Sequence, residues 1–215
     1  MFPGTPSVRK YFDKCYPVRQ SWKSLFFRTR DVERSNIIIS WLPSLKDKSL
    51  CDVGCGDGNQ IRRILSTGNI PSLLVLQDIS SFAVARAKEN LTGYNCILSE
   101  LVGDAFDDGF GGPHDVVIAI GITDYYSNWD DILDILSKGT SEVLIIDFPR
   151  KWRLRNIPRK IWLKINGVYL NSISYRELCD LLIRHGYSFE IEKSTYNWLA
   201  RISRHDTQSD SDGYQ

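Results

Sequence analysis

The sequence lacks the long apolar runs that a membrane-spanning helix needs. Its most apolar stretches, "IIISWL" and "DVVIAIGI", are far shorter than the roughly 18 residues that such a helix requires. The opening "MFPGTPSVRK" contains no apolar core of a signal peptide. We therefore expect a cytoplasmic protein without a leader or a membrane span. The 215 residues are enough for one well-buried domain.

The chain also has little net charge and few residues that hold metals. Its formal net charge of +1 gives no overall reason to expect a nucleic-acid partner. The five cysteines are scattered and odd in number, which indicates reduced thiols. Cys51 and Cys55 flank a glycine loop, but no second Cys or His cluster offers further ligands. His114, His185 and His205 lie far apart in the sequence, and we predict no metal site.

The middle of the chain alternates short apolar runs with amphipathic segments, which is typical of a parallel α/β sheet. Strands are predicted in "SLCDVG", "SLLVLQDI", "CILSELVGDAF", "DVVIAIG" and "SEVLIIDF". Ser80 or Ser81 is expected to cap the helix after the second strand, and Ser127 the helix after the fourth. A capping box of Ser174 and Glu177 begins "SYRELCDLLIRHG". "SFEIEKS" and "NWLARIS" are close enough to pair as a terminal antiparallel hairpin.

A glycine-rich turn joins the first strand to its helix. In "DVGCGDG", Gly54, Gly56 and Gly58 allow the backbone to approach a ligand closely. A dinucleotide fingerprint needs a third glycine where Asn59 stands, and a P-loop needs a Gly-Lys-Ser/Thr ending that is absent. Because parallel sheets bind ligands beyond the carboxyl ends of their strands, we expect a ligand site at this turn.

"DVGCGDG" resembles the first motif of the class I S-adenosylmethionine-dependent methyltransferases. The likeness continues in "LQDIS", "GDAF" and "DVVIAIG", covers 49–149 strongly and extends weakly to the hairpin. "VRKYFDK" and "FPRKWRLR" are loosely similar to small-molecule members, including the magnesium-protoporphyrin methyltransferase group. The resemblance implies a Rossmann-like, seven-stranded, mostly parallel sheet with an antiparallel terminal hairpin. It also implies helices on both faces, an N-terminal helical lid, and S-adenosyl-L-methionine as the cofactor.

The resemblance assigns cofactor contacts residue by residue. Asp78 would hold the ribose hydroxyls, and Asp104 would accept a hydrogen bond from the adenine amino group. Asp52 and the loop carbonyls would serve the ammonium of the methionine tail. The expected cofactor-binding residues are Asp52, Gly54, Gly56, Gly58, Asp78, Ile79, Asp104, Ala105 and Ile120.

Acceptor pockets in this fold lie over the same strand ends. The histidines are expected to miss this edge, with His114 and His185 on the far side of the sheet. Basic and aromatic residues before 42 and within 151–173 predict two lids over an acidic or aromatic small molecule, although a solvated charged face explains them equally well. The residues expected to position or deprotonate the nucleophile are Asp124, Tyr125 and Tyr126. The expected substrate contacts are Tyr11, Tyr16, Trp22, Arg150 and Trp152.

The expected organisation is a single methyltransferase domain over 1–203. It comprises an N-terminal helical lid (1–42), a cofactor-binding core (43–150), a basic lid insertion (151–173), and a helix with the terminal hairpin (174–203), before a disordered tail (204–215). The expected reaction is methyl transfer to oxygen or nitrogen of a small molecule, in natural-product or cofactor biosynthesis. Two alternatives remain: an RNA or peptide methyltransferase that docks its substrate on the basic lids, and a non-catalytic cofactor-binding partner of a larger complex. The oligomeric state stays open.

Overall fold

A computed structural model describes residues 28–126, 128–151 and 171–203. The strands in these ranges are β1 (Ser49–Val53), β2 (Leu73–Asp78), β3 (Ile97–Val102), β4 (His114–Ala119), β5 (Thr140–Pro149), β6 (Ser188–Lys193) and β7 (Asn197–Ser203). The helices are α1 (Arg28–Trp41), α2 (Asn59–Leu65), α3 (Ser81–Leu91), α4 (Trp129–Lys138) and α5 (Tyr175–Arg184). A 3-10 turn covers Thr123–Tyr125.

The strands form one seven-stranded sheet in the order β3-β2-β1-β4-β5-β7-β6. The first five strands in the chain pair in parallel, whereas β7 pairs antiparallel with both β5 and β6. The predicted seven-stranded sheet with its terminal hairpin is therefore confirmed. The chain moves outward from β1 on one side through β2 and β3, and on the other through β4 and β5. This reversal creates a crevice beside the carboxyl end of β1, where such sheets bind ligands.

Two hydrophobic clusters cover the two faces of the sheet. Successive residues of a strand point to opposite faces, so Val116 and Ile118 of β4 join one cluster while Val117 and Ala119 join the other. The first cluster contains buried residues of α1, α2 and α3, and the second contains those of α4 and α5. Burial on both faces explains why β4 is apolar from Val116 to Ala119.

The helix starts follow the expected capping chemistry with one correction. The capping box at α5 is present, since Glu177 N donates to Ser174 Oγ (3.3 Å) and Ser174 N donates to Glu177 Oε2 (2.9 Å). Ser80 occupies the N-cap position of α3, as expected, but its side chain makes no capping hydrogen bond. The N-cap of α4 is Asn128 rather than Ser127, because the Asn128 side chain accepts from the main-chain N–H of Asp131. Ser127 itself lies outside the described residues.

Three predicted segments lie wholly or mainly outside the described residues: 1–27 of the N-terminal lid, 152–170 of the basic insertion, and the tail at 204–215. The division of the chain into lids, core and tail therefore stays a prediction. Within the described ranges, no helix has both the length and the apolar character needed to cross a membrane.

Replacing Ser174 with Ala should lower the free energy of unfolding by about 1 kcal/mol, because α5 loses its side-chain cap. For a domain of this size, that change corresponds to a fall of about 2–4 °C in the melting temperature. The matched control is Ser141→Ala at the exposed start of β5, which should change stability by less than about 0.5 kcal/mol. Equal melting temperatures for the two variants would contradict the capping role.

Candidate functional site

The turn after β1 has a backbone that only glycine adopts readily. Gly54, Gly56 and Gly58 have φ values of 77°, 56° and 72°, which lie in the left-handed region. A Cβ atom on Gly54 would lie 2.2 Å from Cγ2 of Ile122, in the segment after β4. The glycine turn and the segment after β4 therefore approach each other closely at the carboxyl edge of the sheet.

Asp78, the last residue of β2, holds this turn in place. Its Oδ2 accepts from the main-chain N–H of Gly56 and its Oδ1 from that of Ser80, both at 2.9 Å. The side chain is buried, and each carboxylate oxygen has two lone pairs. Asp78 thus connects the glycine turn to the start of α3. Its carboxylate oxygens have further lone pairs that can accept hydrogen bonds from a diol.

Gln77 is a structural residue of the site that the sequence analysis missed. Its main-chain oxygen accepts from Gly54 N (2.8 Å) and Cys55 N (2.9 Å), and its side-chain Nε2 donates to Gly103 O (2.7 Å). It thereby sets the spacing between the turns that follow β1 and β3. The one signal in the sequence is a polar residue inside the apolar run "LLVLQD".

Asp52 is a buried carboxylate, and one of its oxygens accepts no hydrogen bond from the described residues. It is 3% exposed, and among the described residues its Oδ2 has no hydrogen-bond partner. Burial raises the pKa of Asp52 to about 7; the Asp78 carboxylate adds to that rise, and the Arg34 guanidinium opposes it. An unpartnered buried carboxylate is costly in a folded protein. A ligand with a positively charged group fits this position.

Asp104 follows β3 and is paired with an aromatic side chain. The main-chain N–H of Phe106 donates to its Oδ1 (2.9 Å), and the Tyr126 hydroxyl lies 3.4 Å from Oδ1 and 3.3 Å from Oδ2. Burial, with the Asp104 charge second, raises the pKa of Tyr126. The phenol is therefore a donor to Asp104, and the expected role of Tyr126 towards the nucleophile stays a prediction.

Asp124 and Tyr125 lie in the 3-10 turn after β4, at the same edge of the sheet. Asp124 is buried, and its main-chain oxygen accepts from Asn171 N (3.1 Å). The Asn171 side chain donates to Tyr126 O (2.7 Å), so the end of the insertion is fastened to this turn. The placement agrees with an acceptor-side position, and the catalytic role of Asp124 and Tyr125 stays a prediction.

Asp147, in β5, joins four parts of the fold and was also missed from sequence. Its Oδ1 accepts from Gly121 N (2.7 Å), and its Oδ2 accepts from Arg34 Nη1 of α1 (3.3 Å) and from the Asn197 side chain of β7. Thr123 Oγ1 donates to the Asp147 main-chain oxygen (2.5 Å). Because Asp147 is fully buried, these donors are needed to stabilise its charge. They also fix the segment after β4 beneath α1.

Arg150 contacts residues of the terminal hairpin. Its guanidinium lies 4.7 Å from the centre of the Trp198 ring and donates to Ser194 O (3.0 Å). These contacts attach Arg150 to the terminal hairpin, and its expected contact with substrate stays a prediction. The other expected substrate contacts lie outside the described residues: Tyr11, Tyr16, Trp22 and Trp152.

The described histidines and the cysteines that flank the glycine turn have the surroundings of residues that support the fold. His114 is buried at the start of β4, where its Nε2 lies 3.0 Å from Phe110 O, at the edge opposite the glycine turn. His185 is at the C-cap of α5, and its Nε2 lies 3.0 Å from Asp130 in the first turn of α4. Cys51 and Cys55 are free, and burial raises the pKa of both thiols. Among the described residues, no three or more His, Cys, Asp or Glu side chains lie close enough together to hold a metal ion.

The structure brings the expected cofactor residues to the carboxyl ends of β1, β2, β3 and β4. Three buried carboxylates and three left-handed glycines line this edge. Their contacts with a cofactor stay a prediction. The residues concerned are Asp52, Gly54, Gly56, Gly58, Asp78, Ile79, Asp104, Ala105 and Ile120.

Solved methyltransferase structures share this fold. The chain is similar to magnesium protoporphyrin IX methyltransferase from Synechocystis with bound S-adenosylhomocysteine, with 20% identity, a TM-score of 0.72, and coverage of 92% of this chain and 98% of that chain. The same enzyme with bound S-adenosylmethionine matches at 18% identity and a TM-score of 0.72, covering 95% and 99%. An S-adenosylmethionine-dependent methyltransferase from Mesorhizobium loti matches at 15% identity and a TM-score of 0.63, covering 79% and 96%.

No protein-family model matches the chain, and no curated protein matches it in sequence. The resemblance carried by the motifs is confirmed at the level of the fold. The described part of the chain has the Rossmann-like fold of the S-adenosylmethionine-dependent methyltransferases.

Replacing Asp52 with Asn should stabilise the ligand-free protein, because the variant has no buried charge to form. An unfolded Asp has a pKa near 3.9, and Asp52 has a folded pKa of about 7. The contribution of Asp52 to the stability of the wild type therefore falls as the pH rises from about 4 to about 7. The difference in melting temperature between variant and wild type should be near zero at about pH 4 and largest above about pH 7.

The control is Asp115→Asn at the start of β4, where the sign is opposite. Hydrogen bonds from the Ser49 main-chain N–H and hydroxyl lower the pKa of Asp115, so that carboxylate stabilises the fold above its unfolded pKa. Asp115→Asn should therefore destabilise the protein at about pH 8, and the deficit should shrink in acid. A lower melting temperature for Asp52→Asn at about pH 8 would contradict the assignment of Asp52.

Proposed function

We propose that this chain is an S-adenosylmethionine-dependent methyltransferase that methylates an oxygen or nitrogen atom of a small molecule. The observation that carries the proposal is Asp52, a buried carboxylate whose Oδ2 has no donor among the described residues, set beside a turn of left-handed glycines. Such a carboxylate calls for a cationic ligand. The acids that end β2 and follow β3 extend the site in one direction along the strand ends.

The residues fit S-adenosylmethionine group by group. Its methionine tail carries an ammonium that suits Asp52, and its carboxylate suits main-chain N–H groups near Gly58. The ribose diol suits Asp78, because a buried carboxylate that accepts from a hydroxyl makes a bond of about 1.5–3 kcal/mol. The adenine amino group suits Asp104. The bound nucleosides in the similar Synechocystis structures support the same choice of cofactor.

When bound, S-adenosylmethionine supplies an electrophilic methyl group on a sulfonium. The protein's main task is then alignment, which can contribute roughly 7–11 kcal/mol to lowering a barrier. The Asp147 contacts hold Gly121 and Thr123 beside the glycine turn, so the acceptor approaches over a fixed surface. We assign Asp124 to orient the nucleophile and, for a hydroxyl, to take its proton at the carboxylate.

We favour a small-molecule acceptor with acidic or aromatic groups. The basic and aromatic residues of 1–42 and 151–173 support this class, as does the similarity to small-molecule methyltransferases. A net charge of +1 argues against RNA, and the intact set of acids argues against a non-catalytic partner. The free thiols among the described residues support a cytoplasmic site of action.

The wild type should bind S-adenosylhomocysteine in a calorimeter and should not bind NAD. Affinity should rise between about pH 6 and pH 8, because the ligand ammonium needs an ionised Asp52 and the pKa of that group is about 7. Below pH 7, binding should therefore release protons into the buffer. Tight NAD binding without a response to S-adenosylhomocysteine would overturn the proposed function.

Asp78→Asn should weaken S-adenosylhomocysteine binding by about tenfold to a hundredfold, since the ribose hydroxyls lose a charged acceptor. The melting temperature should also fall, because the amide nitrogen cannot accept and one of the two main-chain N–H groups loses its acceptor. The control is Asp134→Ala, which removes an exposed ion pair with Lys138 on α4 and should leave affinity unchanged. Wild-type affinity in Asp78→Asn would exclude the ribose role.

A further inference from the structure

We infer that Tyr126 is a positioning residue for purine recognition: its hydroxyl holds Asp104 as an acceptor, so that the site selects adenine over a purine with an oxygen in place of the exocyclic amino group. The inference rests on the proposed function, because it concerns the nucleoside part of the same cofactor. The glycine motif and the acids at the strand ends do not by themselves indicate this role for Tyr126.

The geometry carries the inference. Tyr126 is 8% exposed and belongs to the segment after β4, whereas Asp104 belongs to the turn after β3. The hydroxyl lies almost equally far from the two carboxylate oxygens, at 3.3 and 3.4 Å. The Tyr126 ring packs edge-on against Phe106 at a centroid distance of 4.7 Å and an interplanar angle of 77°. Ring packing and the hydroxyl contact together fix where the phenol and the carboxylate meet.

The phenol can act only as a donor in this place. Burial and the neighbouring Asp104 charge raise the pKa of Tyr126, so the hydroxyl keeps its proton throughout the working pH range. A carboxylate has enough lone pairs to accept from the phenol, from the Phe106 N–H and from a bound amino group together. Asp104 is thereby kept as an oriented acceptor, although it lies in a buried site.

Selectivity for adenine follows because the Asp104 carboxylate is held in one orientation as a hydrogen-bond acceptor. An adenine amino group donates to Asp104, whereas an oxo group would place two acceptors against each other. Sites that hydrogen-bond a ligand's donor reject analogues without it far more strongly than apolar pockets reject a size difference. Without the Tyr126 hydroxyl, the carboxylate can rotate and take up water. The penalty for the oxo analogue should then fall.

The test measures the affinities of S-adenosylhomocysteine and S-inosylhomocysteine for the wild type and for Tyr126→Phe. Phe keeps the ring that packs against Phe106. S-adenosylhomocysteine should bind Tyr126→Phe about tenfold more weakly, as expected for the loss of a hydrogen bond to a charged group. S-inosylhomocysteine should change by less than about twofold, so the ratio of the two affinities should drop severalfold. The control is Tyr187→Phe, which removes a hydroxyl bonded to Ser137 (2.8 Å) and should leave the ratio unchanged.

The outcomes separate this inference from the proposed function. If the wild type binds neither nucleoside, the proposed function fails and the inference fails with it. If the wild type binds S-adenosylhomocysteine and Tyr126→Phe weakens both ligands equally, Tyr126 is merely structural and the inference is wrong. An unchanged ratio would also refute it.

Two further variants test whether Tyr126 acts through Asp104. In an Asp104→Asn background, Tyr126→Phe should not alter the ratio further, because the residue it positions is gone. Site-specific fluorotyrosine at position 126 keeps the ring and hydroxyl but makes the phenol a stronger donor, and it should raise the ratio. This substitution tests the inference even if Tyr126→Phe does not fold. Additive effects in the double variant, or no effect of fluorotyrosine, would contradict it.

Discussion

The hydrogen bonds that Asp78 accepts from Gly56 N and Ser80 N connect the parts of the candidate site. The glycine turn has few side chains with which to hold itself, and its left-handed residues have no intrinsic preference for one shape. A buried carboxylate at the end of β2 supplies two fixed acceptors at 2.9 Å. The turn after β1 and the start of α3 are thereby placed relative to each other, and Gln77 extends the connection to the turn after β3.

Two carboxylates buried at the same edge of the sheet lower the stability of the ligand-free protein. A bound ligand would offset this cost. Asp52 and Asp78 are buried near each other, and both burial and mutual repulsion raise the pKa of Asp52. Arg34 opposes this effect only in part. A ligand that binds the native state stabilises it by mass action, so a cationic ligand would offset the cost as it binds. The buried carboxylates thus lower the stability of the ligand-free protein, and Asp52 provides an acceptor for a cationic ligand.

A third buried carboxylate, Asp147, holds the segment after β4. Asp147 draws donors from α1, from the segment after β4 and from β7, and removal of one partner from a buried pair typically costs about 3–5 kcal/mol. Helix α1 is also attached through Glu33 to Thr195 and through Ser35 to Gln60. The helix is therefore fixed across the strand ends at several points. The segment after β4 is thus positioned by contacts between elements far apart in the chain.

The sequence by itself determined the sheet and the glycine turn, because strands buried on both faces must be apolar and the turn needed glycine. Asp52, Asp78 and Asp104 were singled out by the resemblance to the class I methyltransferases, and parallel strands bring their carboxyl ends to one edge. Only the tertiary structure decided which side chains meet across the fold. Arg34 and Asp147 are 113 positions apart, Asp147 and Asn197 are 50 apart, and no local pattern encodes such pairs. The direction of a side chain is also set by its neighbours, which is why Tyr126 faces Asp104 and Arg150 lies on Trp198.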